Sequence, residues 1–360
     1  MIFDYPTLRL GWQDERKGKR NVPNQQRYLY NLEENLYRLC YRLQTGKFEP
    51  TPLRIKQIFY PKRRQAQVPS QEDKIVQHVI CDTYAYFPLV APLVDGASAN
   101  TRGRGTDYAL KRLQQDYRAF WVKHHRPPFV VKGDIHSFFA SIPHERVMEL
   151  IYRYLPDTDV QNTMRKFVDL TERGLPLGLQ QSQLLANLYL SEMDHKLTEQ
   201  LGAEFYGRHM DDFYILCESR EIAETLLTWC KGYVESIGLE LNPKTAIFYR
   251  SFDYLGFHII MSDTGKIVVR VAKGKIKSKR RHLRKLVSQL AAEEITPQRM
   301  EKAYFGWRHH ALKAKNARTQ VLNMDAYIDG MLRQIGYRLI IYKIDYGKTK
   351  WRVCIAPDRR

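Results

Sequence analysis

Residues 129–134, Phe129-Val130-Val131-Lys132-Gly133-Asp134, decide the fold because they run from an apolar strand directly onto a carboxylate. Their aromatic and β-branched side chains are typical of a buried strand, so we expect Asp134 at its carboxyl end. Asp211 and Asp212 are adjacent and are flanked on both sides by apolar residues. That pattern predicts a β-hairpin with two acidic residues at its tip.

Three carboxylates at the ends of apolar strands predict a site for divalent cations. A charge removed from water is costly unless an opposite charge compensates it. Mg²⁺ prefers carboxylate oxygens, and two such ions about 3.5–4 Å apart clamp the attacking and leaving oxygens of a phosphoryl transfer. The competing interpretation is a solvated Asp-Asp turn, which is the commoner identity of an isolated pair and stays open at this point.

The net charge indicates a polyanionic partner. Lysine and arginine number 58, aspartate and glutamate 39, which gives +19 over 360 residues and a pI near 9.6. Such a surplus favours nucleic acid or an anionic membrane surface. The sequence has no run of 18 apolar residues and its mean hydropathy is −0.50, so we expect no membrane partner.

The amino-terminal and cysteine patterns predict a cytoplasmic protein. Residues 1–6 lack the basic and apolar regions of a secretory signal. The cysteines are dispersed without a C-x-x-C spacing, which is typical of reduced thiols in a cytosol. They are Cys40, Cys81, Cys217, Cys230 and Cys354.

Other patterns predict the surrounding elements. Leucines spaced by three and four residues predict an amphipathic helix over 26–43. Further helices are expected over 73–86 and 106–122, and the last thirty residues have the alternation of a terminal hairpin. Residues 263–318 contain 16 basic and four acidic residues, a local charge of +12, which predicts a separate basic helical subdomain.

Five segments resemble the motifs of reverse transcriptases, in the family's order. They are residues 130–142 for motif A, 174–183 for motif B, 208–213 for motif C, 238–245 for motif D and 252–257 for the primer grip. Residues 60–64 and 73–78 are similar to the fingers segment of the bacterial enzymes. The resemblance covers about residues 27–318.

The resemblance implies an α+β fold of the right-hand polymerase type, with fingers, a palm of antiparallel sheet plus helices, and a helical thumb. We therefore expect an N-terminal helical segment at 1–48, fingers at 49–128, a palm at 129–260 with a helical insertion at about 145–172, a basic helical thumb at 261–325, and a C-terminal extension at 326–360.

The resemblance also assigns the catalytic residues. Asp134 and Asp211 become the principal ligands of two Mg²⁺ ions, with Mn²⁺ as the alternative metal, and the Ile135 carbonyl becomes a backbone ligand. Asp212 becomes the third catalytic acid. Lys244 matches the motif D lysine that protonates the leaving pyrophosphate, although a phosphate-facing surface lysine remains the alternative.

Substrate-binding positions follow from the same motifs. The nucleotide-binding candidates are Lys62, Arg64, Phe139, Leu177 and Gln183, with Phe139 as the aromatic gate below the incoming sugar. Leu255 and Gly256 form the primer grip. The thumb is expected to follow the backbone of an RNA–DNA duplex through Lys273, Lys275, Lys277, Lys279, Arg280, Arg281, Arg284 and Lys285.

The implied activity is RNA-directed DNA synthesis on an RNA template from a DNA or RNA primer and dNTPs. Leu177 before the motif B glycine, with Ser182-Gln183 at the end of the motif, resembles the low-fidelity enzymes of diversity-generating retroelements. His209, where the family has tyrosine, departs from the pattern. An antiphage defence enzyme with a dedicated noncoding RNA or untemplated synthesis is the alternative, and a catalytically silent nucleic-acid-binding scaffold is another. A structured noncoding RNA and an accessory protein subunit are the implied partners.

Overall fold

The computed structural model describes residues 2–19, 22–58, 64–345 and 349–358. The chain divides into two compact units. The first contains Met1–Leu113 and Val131–Ile247, and the second contains Gln114–Val130 and Phe248–Arg360. Each unit is therefore built from two separate stretches of sequence, and the predicted palm at 129–260 extends over both.

The first unit begins with three helices, α1 (Tyr5–Arg16), α2 (Pro23–Tyr30) and α3 (Leu32–Gln44). The single helix predicted over 26–43 is wrong, because Asn31 between α2 and α3 has a non-helical backbone at φ −118° and ψ 41°. Asparagine competes for local backbone hydrogen bonds and favours such breaks. Leu32, Leu36 and Leu39 form the buried stripe of α3.

An antiparallel hairpin and a long helical path follow. The hairpin consists of β1 (Arg54–Ile58) and β2 (Arg64–Val68). The helix predicted over 73–86 is present as α4 (Gln71–His78), a π-helical segment (Val79–Ala85) and α5 (Tyr86–Val90). Helix α6 (Thr106–His124) comes next and crosses from the first unit into the second.

A four-stranded sheet with the order β4-β5-β3-β6 carries the acidic residues. Its strands are β3 (Phe129–Gly133), β4 (Tyr206–His209), β5 (Asp212–Cys217) and β6 (Ala246–Tyr249). Helices of the first unit follow β3 and β5: α7 (Phe138–Ser141), α8 (His144–Tyr154), α9 (Thr158–Val168), α10 (Gln180–Tyr189), α11 (Ser191–His195), the π-helical Lys196–Gln200, and α12 (Arg220–Ser236). Buried aromatic side chains on β4 and β5 explain why this sheet forms a core.

Besides the end of α6, the described part of the second unit includes a three-stranded antiparallel sheet, helices α13–α15 and a hairpin. The strands are β7 (Ser251–Tyr254), β8 (Phe257–Met261) and β9 (Ile267–Val271), and the helices are α13 (Lys273–Ala291), α14 (Pro297–Ala311) and α15 (Arg318–Arg333). The prediction that residues 261–325 are helical is wrong at its start, because β9 pairs with β8 through five consecutive positions.

The predicted terminal hairpin is present as β10 (Tyr337–Asp345) and β11 (Thr349–Pro357). Val353 and Ile355 of β11 belong to the same buried cluster as Leu283, Tyr304 and Ile328 of the three helices. The hairpin is thus part of the hydrophobic core that holds α13–α15 together.

These elements confirm the α+β prediction of antiparallel sheets with helices. Within the described ranges, no helix is both long and apolar enough to cross a membrane.

Candidate active site

The turn between β4 and β5 presents Asp211 and Asp212. His209 pairs with Asp212 across the hairpin, so Met210 and Asp211 form a two-residue loop. Met210 has a left-handed backbone, with φ at 62°, a conformation that a non-glycine residue adopts at a cost and that recurs at functional turns. The predicted hairpin with acidic residues at its tip is confirmed.

Asp134 directly follows β3, the neighbour of β5 in the sheet. A close contact fixes the two strands here: a Cβ atom added to Gly133 would lie 2.0 Å from Cζ of Phe213. The Phe213 ring therefore occupies the space beside Gly133. Because Asp134 follows Gly133 and Asp212 precedes Phe213, this contact brings the two acidic segments together.

Lys132 is the cation that faces these acids, and the sequence analysis missed it. Its ammonium group forms an ion pair with Asp212. Burial raises the pKa of Asp212 to about 6; Lys132 acts against this shift, while the negative charges of Asp134 and Asp211 add to it. The negative charges of Asp134 and Asp211 thus make the ionised form of Asp212 less favourable, and Lys132 compensates part of that cost. A lysine within an otherwise apolar strand was the available signal, since such a charge needs a partner.

The donor set fits divalent cations. Carboxylate oxygens are the ligands that Mg²⁺ prefers, and three mutually repelling carboxylates are stabilised by positive charge. In the part of the chain that the structure describes, no group of three or more His, Cys, Asp or Glu side chains is already arranged around a common metal position. The charges and the chemical identity of these carboxylates are therefore what make them suitable ligands for divalent cations.

The loop before β6 is bound to the backbone of Asp134. The amide of Asn242 donates to the Asp134 carbonyl at 2.7 Å, and the Asp134 amide donates to Oγ1 of Thr245 at 3.2 Å. Ile135 forms a bridge with Leu241. Lys244 lies on this loop with its side chain exposed, so its position next to the Asp134 segment is set by main-chain hydrogen bonds.

A buried hydrogen-bond network holds the turn between β4 and β5. Arg208 on β4 has no exposed surface and pairs with the equally buried Asp194. Its guanidinium also donates to the carbonyl of Met210 at 2.8 Å and to Oδ1 of Asn187 at 2.9 Å. The hydroxyl of Tyr206 donates to Asp194. Arg208 therefore connects Met210, the left-handed residue of the turn, to helices α10 and α11.

His209 packs beside this network. Its Nδ1 lies 2.9 Å from the hydroxyl of Ser98. Burial, together with the positive charge of Arg208, lowers the pKa of His209, so the imidazole is neutral at physiological pH. His209, where the family pattern has tyrosine, thus contacts Ser98 through its imidazole.

The motif B loop contacts both Phe139 and the β1–β2 hairpin. The amide of Leu175 donates to the Phe139 carbonyl at 2.6 Å, and the amide of Gln67 donates to the Leu177 carbonyl at 2.9 Å. Gly178 has φ +120°, and a Cβ there would lie 2.2 Å from the Gln67 carbonyl oxygen, so this position requires glycine. The Leu177 side chain is exposed, as is that of Gln183, while Phe139 is half-buried.

Two nucleotide-binding candidates cannot be placed. Lys62 lies outside the described residues, and Arg64 is described only as the first residue of β2.

The primer-grip candidates lie in the second unit. Leu255 and Gly256 form the two-residue turn between β7 and β8, and both have left-handed backbones, with φ at 50° and 86°. Two positive φ values are typical of the tight turns that join antiparallel strands. A Cβ at Gly256 would lie 3.6 Å from Nε2 of His310 and 3.8 Å from Cε of Lys275.

The predicted cationic surface is present on α13 with one correction. Seven of the eight basic residues are exposed, namely Lys273, Lys275, Lys277, Arg280, Arg281, Arg284 and Lys285. Lys279 is only 2% exposed and donates to the Ala303 carbonyl at 2.8 Å. It is four residues from Leu283 and therefore shares the helix's buried face. Burial lowers its pKa to about 8, and its assignment to a nucleic-acid contact is wrong.

Comparison with known proteins identifies the family. A family model described as reverse transcriptase (RNA-dependent DNA polymerase) matches residues 60–259, more than half of the chain. The chain is 28% identical over 188 residues to the group II intron-encoded protein LtrA of Lactococcus lactis subsp. cremoris, which covers 48% of this chain and 30% of LtrA. It is 26% identical over 156 residues to the retron Ec73 reverse transcriptase of Escherichia coli, covering 39% of this chain and 46% of that protein.

The chain thus spans less than half the length of either of these relatives. Among solved structures, telomerase from Candida albicans in complex with a TWJ fragment of telomeric RNA aligns with a TM-score of 0.48 and 12% identity, over 86% of this chain and 68% of that one. The family match includes the strand-end carboxylates Asp134, Asp211 and Asp212. The chain belongs to the reverse transcriptase family.

Proposed function

We propose that this protein is an RNA-directed DNA polymerase that copies an RNA template into DNA. The observation that carries the proposal is the convergence of Asp134 and the Asp211–Asp212 turn on neighbouring strands, where burial and the negative charges of Asp134 and Asp211 raise the pKa of Asp212. Asp134, Asp211, Asp212 and the Ile135 carbonyl would hold two Mg²⁺ ions, with Mn²⁺ as the alternative. When bound, these ions would activate the primer hydroxyl and stabilise the charge that develops on the transferred phosphoryl group.

The remaining assignments are roles of this chain's own side chains. Lys132 neutralises Asp212 until metal binds, and Lys244 supplies the proton for the leaving pyrophosphate from its loop beside Asp134. Phe139 borders the sugar of the incoming nucleotide. Leu255 and Gly256 hold the primer end, and the seven exposed cations of α13 bind the duplex backbone without reading its sequence.

Primer extension with the Asp211→Asn/Asp212→Asn variant tests the activity. With an RNA template, a DNA primer and dNTPs, we expect activity to fall by at least about 10³-fold, because loss of charge stabilisation at a reacting centre has large effects. Glu224→Gln, which changes an exposed acid on α12, is the matched control and should retain full activity. An active double variant would show that the site lies elsewhere, and an inactive native protein would favour the silent scaffold.

We further propose that the enzyme is of the diversity-generating retroelement type and copies with low fidelity. Leu177 projects an exposed aliphatic side chain where a glutamine amide could hydrogen-bond to the nucleotide and template pair. Its backbone carbonyl accepts a hydrogen bond from the Gln67 amide, a contact that does not involve the side chain. Leu177→Gln should therefore fold normally and reduce misincorporation opposite template adenines; an unchanged error rate would refute this assignment.

The template and the products separate the two functional subgroups. A cytoplasmic complex with a structured noncoding RNA and an accessory subunit is expected for either. Sequencing the nucleic acid that copurifies with the native protein distinguishes them: adenine-randomised copies of one template support a diversity-generating enzyme, whereas products of a dedicated noncoding RNA or untemplated products support an antiphage role.

A further inference from the structure

An exposed phenylalanine lies on the short helix α5 of the first unit. Phe87 is 68% exposed, and its ring packs edge-on against that of Tyr86, with centroids 5.4 Å apart and an interplanar angle of 83°. Burial of an aromatic ring is favourable, and a ring exposed to water lacks that free energy. An exposed ring next to a second ring can therefore gain it by stacking with a flat ligand.

Arg102 completes this surface. Its guanidinium lies 4.2 Å from the centroid of the Tyr86 ring and 5.8 Å from that of Phe87. The backbone amide of Arg102 also donates to the Tyr86 hydroxyl, which fixes the loop over the helix. We call Tyr86, Phe87 and Arg102 the aromatic–arginine platform. It combines an open π-face with a fixed positive charge.

The loop that carries Arg102 is rigidly held by its neighbour Arg104. Nη1 of Arg104 donates to the carbonyls of Val94, Asp95 and Ala97 at 3.4, 3.2 and 3.0 Å, and Nη2 pairs with the Asp95 carboxylate at 2.7 Å. Arg104 is therefore committed to the loop, whereas the Arg102 side chain is 57% exposed.

The same loop is joined to the catalytic hairpin. The amide of Arg208 donates to the Gly96 carbonyl at 3.0 Å, and the amide of Ser98 donates to the Arg208 carbonyl at 2.9 Å. The side-chain amide of Asn187 donates to the Ala99 carbonyl at 2.9 Å. The loop that carries Arg102 is therefore attached by main-chain hydrogen bonds to β4, the strand that leads into the Met210–Asp211 turn.

Asp82, an acid close to Arg102, already has other partners for its negative charge. Asp82 lies 3.8 Å from the Arg102 guanidinium, but it also contacts His78 at 2.8 Å and accepts from Nε2 of Gln180. Burial lowers the pKa of His78, but its hydrogen bonds to Asp82 and Glu15 outweigh this and raise it to about 9, so His78 is cationic at neutral pH. Asp82 therefore does not neutralise Arg102 fully, and the Arg102 guanidinium can pair with an anion of a ligand.

We infer that the aromatic–arginine platform binds the unpaired part of an RNA strand, with a base stacked on Phe87 and a phosphate paired with Arg102. Aromatic stacking plus a basic contact is the general chemistry of single-strand binding, and it tolerates any base. This deepens the proposed function, because a template strand is single-stranded before it is copied. Binding does not require catalysis, however, and can be tested separately.

The test measures the affinity of the native protein for two RNA–DNA hybrids by fluorescence anisotropy. One hybrid is blunt and the other has a ten-nucleotide RNA 5′ overhang. The native protein should bind the overhang hybrid more tightly. Phe87→Ala should weaken that binding about 5- to 160-fold, the range expected for loss of one base–aromatic stack, and leave blunt-hybrid binding within twofold. Arg102→Gln should reduce the salt dependence of overhang binding by about one counterion.

Two further variants make the result decisive. Phe87→Trp keeps the stack and should bind the overhang like the native protein, whereas Tyr152→Ala removes another exposed ring, 50% exposed on α8, and should have no effect. Equal overhang affinity for Phe87→Ala and native protein, or no preference of the native protein for the overhang, would overturn the inference. Primer extension by the native protein is measured alongside, so that failure of the polymerase assignment is recognised independently.

Discussion

Arg208 and Asp194 form an ion pair in which neither side chain retains any exposed surface. Because the same guanidinium donates to the Met210 carbonyl, this pair connects the interior of the first unit to the turn that carries Asp211. A buried ion pair contributes little net stability. Removal of one partner, however, leaves the other charge unpaired in the protein interior, where water cannot solvate it. The pair therefore fixes the geometry of the turn.

Replacement of one partner of this pair should destabilise the protein strongly. We expect Arg208→Met or Asp194→Asn to lower the free energy of unfolding by about 3–5 kcal/mol, measured by urea denaturation. Arg220→Met breaks an exposed pair with Glu224 on α12 and should cost less than about 0.5 kcal/mol. Similar losses in both variants would contradict the role of burial.

Gly133→Ala should disturb the site by displacing the Phe213 ring. The new methyl group would overlap Cζ of Phe213, an overpacking that costs about 1–3 kcal/mol and shifts the adjoining carboxylates. We expect a large loss of primer extension together with a lower Tm. Gly232→Ala is the matched control: no atom lies within 4 Å of its added Cβ, and in helix α12 it should add about 0.5–1 kcal/mol. A fully active Gly133→Ala variant would show that Phe213 can move without consequence.

The raised pKa of Asp212 should make metal binding depend on pH. A carboxyl with a pKa of about 6 in the folded state and an ordinary value of 3.8 holds its proton more tightly when folded. The free energy of unfolding of the metal-free protein should therefore fall as the pH rises through this window. Mg²⁺ competes with that proton, so it should raise Tm more at pH 7.5 than at pH 5.

A thermal-shift titration with MgCl₂ at the two pH values measures this effect. Asp212→Asn has no such proton and should lose the difference between them. Equal Mg²⁺-induced shifts at pH 5 and 7.5 in the native protein would exclude competition at Asp212.

Lys279→Met should stabilise the second unit without affecting nucleic-acid binding. Burial lowers the pKa of Lys279 to about 8 from 10.5, so below pH 8 the folded state bears the full cost of a desolvated ammonium, and this cost disappears as the pH rises to 10.5. We expect the variant to gain about 1–3 kcal/mol at pH 7 and nothing near pH 10.5. Urea denaturation at both pH values provides the measurement.

Lys277→Met is the paired variant for binding. It alters an exposed neighbour and should weaken the affinity for an RNA–DNA hybrid and reduce the salt slope by about one, while Lys279→Met should do neither. If Lys279→Met also reduces the salt slope, then the lysine reaches the nucleic acid after all.

The sequence predicted the positions of Asp134, Asp211 and Asp212 because strand ends and hairpin tips follow from local alternation. It did not predict the supports of these residues. The partners of Arg208 are 14 and 21 residues away on helices, and no local period connects them. Lys132 interrupts the apolar strand β3, and that interruption was the detectable sign of its ion pair with Asp212.

The errors have equally specific causes. The break at Asn31 was hidden because Leu29 continues the leucine spacing, although it is 38% exposed and lies outside the buried stripe. Lys279 was counted with its neighbours because charge alone does not indicate which side of a helix a residue occupies. Its spacing of four residues from Leu283 did contain that information.

The division of the second unit between two stretches of sequence has a consequence for synthesis on the ribosome. Residues 114–130 are translated 118 residues before Phe248, where the rest of their unit begins. At about 5–20 residues per second, they wait roughly 6–24 s for their first partners. Val353 and Ile355 arrive later still, so the core shared by α13–α15 and the hairpin closes only after nearly all of this sequence has emerged. Until Val353 and Ile355 have emerged, the part of this core that they cover on α13–α15 stays exposed on the nascent chain, where it is accessible to a ribosome-associated chaperone.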